Sequence, residues 1–138
     1  MDLSYAVTPF LAWLVAGCTK FAVNTIRAKQ LEFGQIGYGG FPSNHTAIVT
    51  SAAALVGFQE GVAHPAFGIG VALAFVVMLD ANSLRQKVGL QAAAINHLNQ
   101  LNNIDTKPLR ERMGHTRVEI AGGAVVGTLV AWAVSSLF

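Results

Sequence analysis

Two histidines, two acids and a few cations stand in this sequence where other polar groups are scarce. Lys20 and Arg27 are seven residues apart, Pro42-Ser43-Asn44-His45 form one block, Arg85 follows Asp80, and Arg110 precedes His115 and Glu119. Lysine and arginine can hold anionic oxygens, and histidine and carboxylate side chains can carry a proton. Pro42-Ser43 also announces a helix start, because a serine hydroxyl can cap the N–H groups of a first turn. Such a start offers unpaired N–H groups and the positive end of the helix dipole, a natural seat for an anion. The chemistry these residue types suggest is the handling of phosphate.

The elements that must position them are membrane helices. Apolar residues make up 53% of the 138 and charged residues 12%, against roughly 25% charged in globular proteins. Ten of the sixteen charges lie between Asp80 and Glu119, which leaves Leu3–Thr19, Phe33–Gln59, Gly61–Leu79 and Ile120–Phe138 free of charge. A spanning helix needs about 20 mostly apolar residues, and each stretch can supply one. The expected fold is therefore all-α: one domain, 1–138, an integral membrane bundle of about four transmembrane helices with an interfacial amphipathic helix. Helix one is expected from Ser4 to Arg27, helix two from Asn44 to Phe58, helix three from Ala66 to Leu79, and the last from Thr116 onward. Four glycines in Glu32–Gly40 read as a loop. Leu84, Val88, Ile95 and Leu98 recur at helical spacing among polar residues, which suits an amphipathic helix at the interface, broken by Pro108. Gly123-x-x-x-Gly127 allows close helix packing.

Several function classes are excluded or left weak. Cys18 is the single cysteine, so there is no internal disulfide and no cysteine-based zinc cluster. Val15-Ala16-Gly17-Cys18 resembles a lipoprotein cleavage box, yet residues 1–10 contain Asp2 and no basic residue, unlike the n-region of a signal peptide. The net charge of +2 comes with no basic tract interleaved with aromatics, so nucleic-acid binding is not expected. All nine basic residues fall on one side of the expected topology, and the positive-inside tendency makes that side cytoplasmic. Lys20, Arg27, Ser43, His45, Asp80, His115 and Glu119 converge on the same face. Charge inside or at the rim of a membrane helix is expensive, which makes each a functional candidate. Four of them also have a plainer reading: Lys20 snorkelling to the interface, Asp80 pairing with Arg85, and His45 or His115 capping a helix. His64, before Pro65 on the opposite face, reads as a loop residue, and His97 as one that faces headgroups.

Lys20-x6-Arg27, Pro42-Ser43-x-His45 and Gly114-His115-x3-Glu119 resemble, in that order, the three signature blocks of the type 2 phosphatidic acid phosphatase and vanadium haloperoxidase superfamily. Gly39-Gly40-Phe41-Pro42-Ser43-Asn44-His45, Val77-Met78-Leu79-Asp80-Ala81 and Gly114-His115-Thr116 resemble more closely its small divergent branch of membrane proteins, over nearly the whole chain. The resemblance implies that His115 is the nucleophile, forming a phosphohistidine, with Glu119 orienting its imidazole from four residues on along one helical face. His45 would be the general acid for the leaving alkoxide. Lys20, Arg27, Ser43 and Asn44 would hold the phosphoryl oxygens, with no metal and no cofactor. The sequence departs from the superfamily pattern at three points: Ala28 follows Arg27 where proline is usual, position 109 is Leu with Arg110 one residue out of register, and Glu119 replaces aspartate. The missing third-block arginine would come from Arg110, Arg112, Arg117 or Arg85.

The expected function is a multi-pass cell-membrane phosphatase that acts on a phospholipid phosphate monoester or a polyprenyl phosphate or diphosphate. Its partners would be the bilayer and its lipid substrate, and the Gly-rich helix faces are compatible with a homodimer. The alternative is a non-catalytic membrane protein that binds phospholipid headgroups or supports a partner complex. A small transport subunit fits less well, since the mid-helix positions are almost wholly apolar.

Overall fold

Five helices and one π-helical turn make up the computed structural model, which describes residues 3–28 and 40–137, without the side chains of Arg27 and Ala28. The loop expected at 32–39 lies outside the described residues. Helix α1 spans Ser4–Ala28, α2 Asn44–Gln59, α3 Pro65–Leu79, α4 Arg85–Leu101 and α5 Arg117–Ser135, with the π-turn Asp80–Leu84 joining α3 to α4. Among the described residues three segments are long and apolar enough to cross a membrane: Ser4–Ile26, Pro65–Leu101 and Arg117–Ser135. The protein is an all-helical membrane bundle.

Local chemistry sets the helix starts. Ser43 caps α2, its hydroxyl accepting from Thr46 N–H at 3.4 Å, and His64 caps α3 through Nδ1, with Pro65 in the first turn. The capping residue of α5 is Thr116: its hydroxyl accepts from Glu119 N–H while Glu119 Oε2 accepts from Thr116 N–H at 2.9 Å. This reciprocal box satisfies two N–H groups that the helix itself leaves unpaired.

The amphipathic stretch is helical, and it continues from α3 through the π-turn as one path of 37 residues. At 1.5 Å per residue this is about 55 Å, longer than a hydrocarbon core of about 30 Å. The expected break at Pro108 is corrected: α4 ends at Leu101. There Asn103 takes a positive φ of 51° and Ile104 N–H bonds back to Asn99 O, a left-handed residue closing a helix as asparagine can. The chain then returns along α4 without helical structure. Asn96, 8% exposed, clamps it by accepting from Leu109 N–H and donating to Leu109 O, both at 2.8 Å. Gly89 gives it room, since a Cβ there would strike Glu111 O.

Helices α2 and α5 run parallel and touch closely. A Cβ on Gly123 would meet the Ser43 carbonyl, and one on Gly127 the Ala47 carbonyl. Gly123 and Gly127 thus pack α5 directly onto the α2 backbone, as their spacing suggests. Helix α1 lies antiparallel to α2, with Ala12 and Ala16 buried against Ala47. At the far end Tyr5 Oη donates to Glu60 at 2.6 Å. The starts of α2 and α5, the end of α3 and the Lys20 end of α1 therefore share one end of the bundle.

Candidate functional site

His115 sits at that shared end, 6% exposed, one residue before the cap of α5. Its Nδ1 lies 3.1 Å from Glu119 Oε2. The same oxygen accepts from Thr116 N–H, so the capping box that starts α5 also fixes the imidazole. The pairing expected from a shared helical face is corrected in its cause: His115 is outside the helix, and Glu119 reaches back to it as part of the cap. With Nδ1–H donating to the carboxylate, Nε2 keeps its lone pair. Burial pushes the His115 pKa below the ordinary histidine value, with the positive charges of Lys20 and Arg85 acting in the same direction and Glu119 opposing.

The backbone of His115 is held as firmly as its ring. Its N–H donates to Ala81 O in the π-turn at 2.9 Å, and its carbonyl accepts from Gln86 Nε2 at 3.4 Å. Gly114 adopts a φ of 89° with Gln86 and Ala81 packed where a Cβ would go, so only glycine fits there without strain.

His45, in the first turn of α2, is exposed, and its ring centre stands 6.1 Å from that of His115. The charges of Arg85, Lys20 and Asp80 reach it. Lys20 is 4% exposed within α1, and its charge is felt by both histidines and by Glu119. Arg85 Nε donates to Asp80 Oδ2 at 3.1 Å. Lys20, His45, Asp80, Arg85, His115 and Glu119 thus come together from five elements of the chain.

The other sequence candidates are placed differently. The Ser43 hydroxyl is buried and engaged with Thr46, whose N–H and hydroxyl it caps, while Ser43 N–H donates to Glu119 O at 2.9 Å. Ser43 accordingly ties the two parallel helix starts together. Asn44 opens α2, its Oδ1 buried without a hydrogen-bond partner among the described residues. Arg110 is exposed on the returning segment, on the wall of a half-open cleft of about 900 Å³ shared with Arg112, Thr116 and Glu119. That cleft opens beside the histidine pair, for neither His45 nor His115 lines it. The backbone of Arg27 lies two turns beyond Lys20 in α1, and its side chain is outside the described residues. His64 and His97 are exposed, His64 at the opposite end of the bundle as the cap of α3. Among the described residues no group of three or more His, Cys, Asp or Glu could hold a metal ion.

Sequence reasoning missed Gln86 and the Ala81 carbonyl, which reach His115 only because a π-turn brings them there. The Thr116-x-x-Glu119 pattern, a capping-box signature, could have shown why Glu119 and His115 meet.

No solved structure matches this chain. It is similar to an uncharacterized membrane protein, YuiD, of Bacillus subtilis (strain 168), with 27% identity over 92% of this chain and 90% of that one. The model of the divergent PAP2 family matches residues 2–130. A helical membrane bundle that gathers a buried, carboxylate-bound histidine, a second histidine and two cations at one end, and that matches this family over nearly its whole length, belongs to the divergent PAP2 family.

Proposed function

We propose that this protein is a phosphatase of the cell membrane, acting on a lipid phosphate through a phosphohistidine intermediate. The observation that carries the reading is the His115–Glu119 bond at 3.1 Å beside a second imidazole 6.1 Å away. His115 Nε2 attacks phosphorus, the bond from phosphorus to the lipid oxygen breaks, and protonated His45 gives its proton to the departing alkoxide. Water, deprotonated by His45, then attacks the phosphohistidine; the P–N bond breaks, and inorganic phosphate leaves with His115 restored. Glu119 stabilises the positive imidazole of the intermediate and fixes its tautomer, the role a carboxylate plays behind a catalytic histidine. Lys20, Arg85 and the first-turn N–H groups of α2 balance the phosphoryl charge. Two parallel helices that begin at one face also point two positive dipole ends at it, an arrangement that an anion stabilises. In this reading the polar end of the bundle meets the headgroups, and a phosphate on an acyl or prenyl tail reaches it without leaving the bilayer. The one-sided distribution of the basic residues supports a cytoplasmic side for that end.

A second reading, a membrane protein that binds phosphorylated headgroups without hydrolysing them, is favoured by the engagement of two clamp candidates within the protein: Ser43 with Thr46, and Arg85 with Asp80. The experiment that separates the two is phosphate release from a panel of phosphatidic acid, polyprenyl phosphate and polyprenyl diphosphate by purified protein in micelles. The proposal expects release by the wild type and none by His115→Ala. Anion binding without release by either would support the second reading.

A further inference from the structure

The π-turn Asp80–Leu84 changes which residues meet at the polar end of the bundle. In an α-helix, residues five apart point about 140° away from each other, because each residue turns 100°. Asp80 and Arg85 are five apart and nevertheless paired, Nε to Oδ2, because the intervening turn is π-helical, and π-turns inside α-helices gather at functional sites. The turn has a second consequence. Arg85 N–H bonds back to Asp80 O, so the Ala81 carbonyl loses the donor an α-helix would give it. His115 N–H takes that place at 2.9 Å. One local irregularity therefore ties His115 to the turn from which Arg85 emerges, since Ala81, which holds His115, lies four residues before Arg85.

We propose that the π-turn Asp80–Leu84 is a substrate-positioning element that presents Arg85 as the phosphoryl-binding cation beside His115, with Asp80 as the positioning residue that orients its guanidinium. This deepens the phosphatase reading and rests on it for the identity of the bound group. The bond to Asp80 uses only the Nε–H of Arg85, and a guanidinium carries four further N–H donors in a fixed fork suited to phosphate. The side chain is 39% exposed, so those donors are reachable. Its charge reaches both His45 and His115.

The test is binding of inorganic phosphate and of orthovanadate to the full chain in micelles, followed by calorimetry, with turnover measured separately. Arg85→Ala is expected to weaken both ligands at least tenfold, and added guanidinium to restore part of the loss, which a merely structural role would not allow. Asp80→Ala is expected to weaken binding severalfold, and Asp80→Asn, which keeps an oxygen for Nε–H, to recover it. Arg110→Ala, Arg112→Ala and Arg117→Ala should stay within twofold of wild type. Wild-type affinity in Arg85→Ala, a larger loss in one of the other three arginine variants, or no binding of either ligand by the wild type would overturn the inference. If the wild type hydrolyses no lipid phosphate yet Arg85→Ala loses phosphate affinity, the phosphatase reading falls and the π-turn proposal stands. If the wild type turns over lipid phosphate and Arg85→Ala keeps full affinity, the π-turn proposal falls and the phosphatase reading stands.

Discussion

Replacing Gly123 by alanine tests the seam that brings the two helix starts together. The added methyl would lie on the Ser43 carbonyl and 2.9 Å from Thr46 Cβ, against about 3.5–4.0 Å for carbon atoms at rest. The helices must therefore part by roughly 0.6–1 Å, and a radial gap of about 0.5–1 Å forfeits a quarter to a half of the dispersion well of each facing pair. Overpacking of this kind costs about 1–3 kcal/mol, a large share of a membrane interface that has close packing as its main source of affinity. The same movement lengthens the 2.9 Å bond from Ser43 N–H to Glu119 O and loosens the cap that orients His115. Reversible unfolding of the purified protein in mixed micelles reads the loss, with Gly127→Ala expected to behave alike. Gly68→Ala is the control, since nothing lies within 4 Å of a Cβ there, and it should stay within about 0.5 kcal/mol of wild type. Equal stability in Gly123→Ala and Gly68→Ala would refute the parallel α2–α5 seam.

The remaining predictions concern charge, leaving group and orientation. His115 should titrate below the ordinary histidine pKa of about 6.5 in an NMR titration, and Glu119→Gln should lower it further by removing the group that holds it up. Because the unfolded chain then binds the extra proton, stability should fall as pH drops through the histidine range, and His115→Gln should flatten that part of the profile. His45→Ala should slow the first step, alcohol release in a single turnover, by about 10²–10⁴-fold for alkyl phosphates and much less for an activated phenolic ester, whose leaving group needs no proton; equal losses of that step on both would rule out the acid role. In a Cys18→Ser background, Asn102→Cys should be labelled from the cytoplasmic side and Ala63→Cys from outside, and the reverse pattern would move the substrate to the outer leaflet.

Much of the helical layout is legible in the sequence because its signals are local. Ser43 and Thr116 stand where helices begin, Pro65 follows a turn, and three of the four charge-free runs fall on segments long and apolar enough to cross a membrane. The gathering of Lys20, His45, Asp80, His115 and Glu119 at one end is legible too, since Lys20 and Asp80 fall toward the ends of α1 and α3 and the others at the starts of α2 and α5, which run the opposite way. What the sequence hides depends on partners far along the chain. Polar residues after Leu79 signal a change of surroundings, yet the helical path continues to Leu101, and hydropathy alone does not distinguish a change of surroundings from a helix end. The π-turn has no composition of its own; it shows only in the Asp80–Arg85 pair and in the Ala81 carbonyl given to His115. Pro108 has the chemistry of a breaker, but Asn103 closes α4 before it with a positive φ. Ser43 has the chemistry of a phosphate ligand, and its depth against Thr46 and Gly123 follows from the parallel packing of α2 and α5, which no short motif records.

The central claim is that His115 becomes phosphorylated, and rapid-quench labelling measures it most directly. Protein incubated with lipid carrying a radiolabelled phosphate and quenched in alkali should hold label on the peptide containing His115, stable to base and lost in acid. Orthovanadate, which can adopt five-coordinate geometry on an imidazole nitrogen, should prevent the label, since a site complementary to that state binds its analogue tightly. Labelling and turnover should both persist in the presence of a chelator, with Lys20, Arg85 and backbone N–H groups balancing the charge, and both should vanish in His115→Ala. Turnover that survives in His115→Ala would contradict the account.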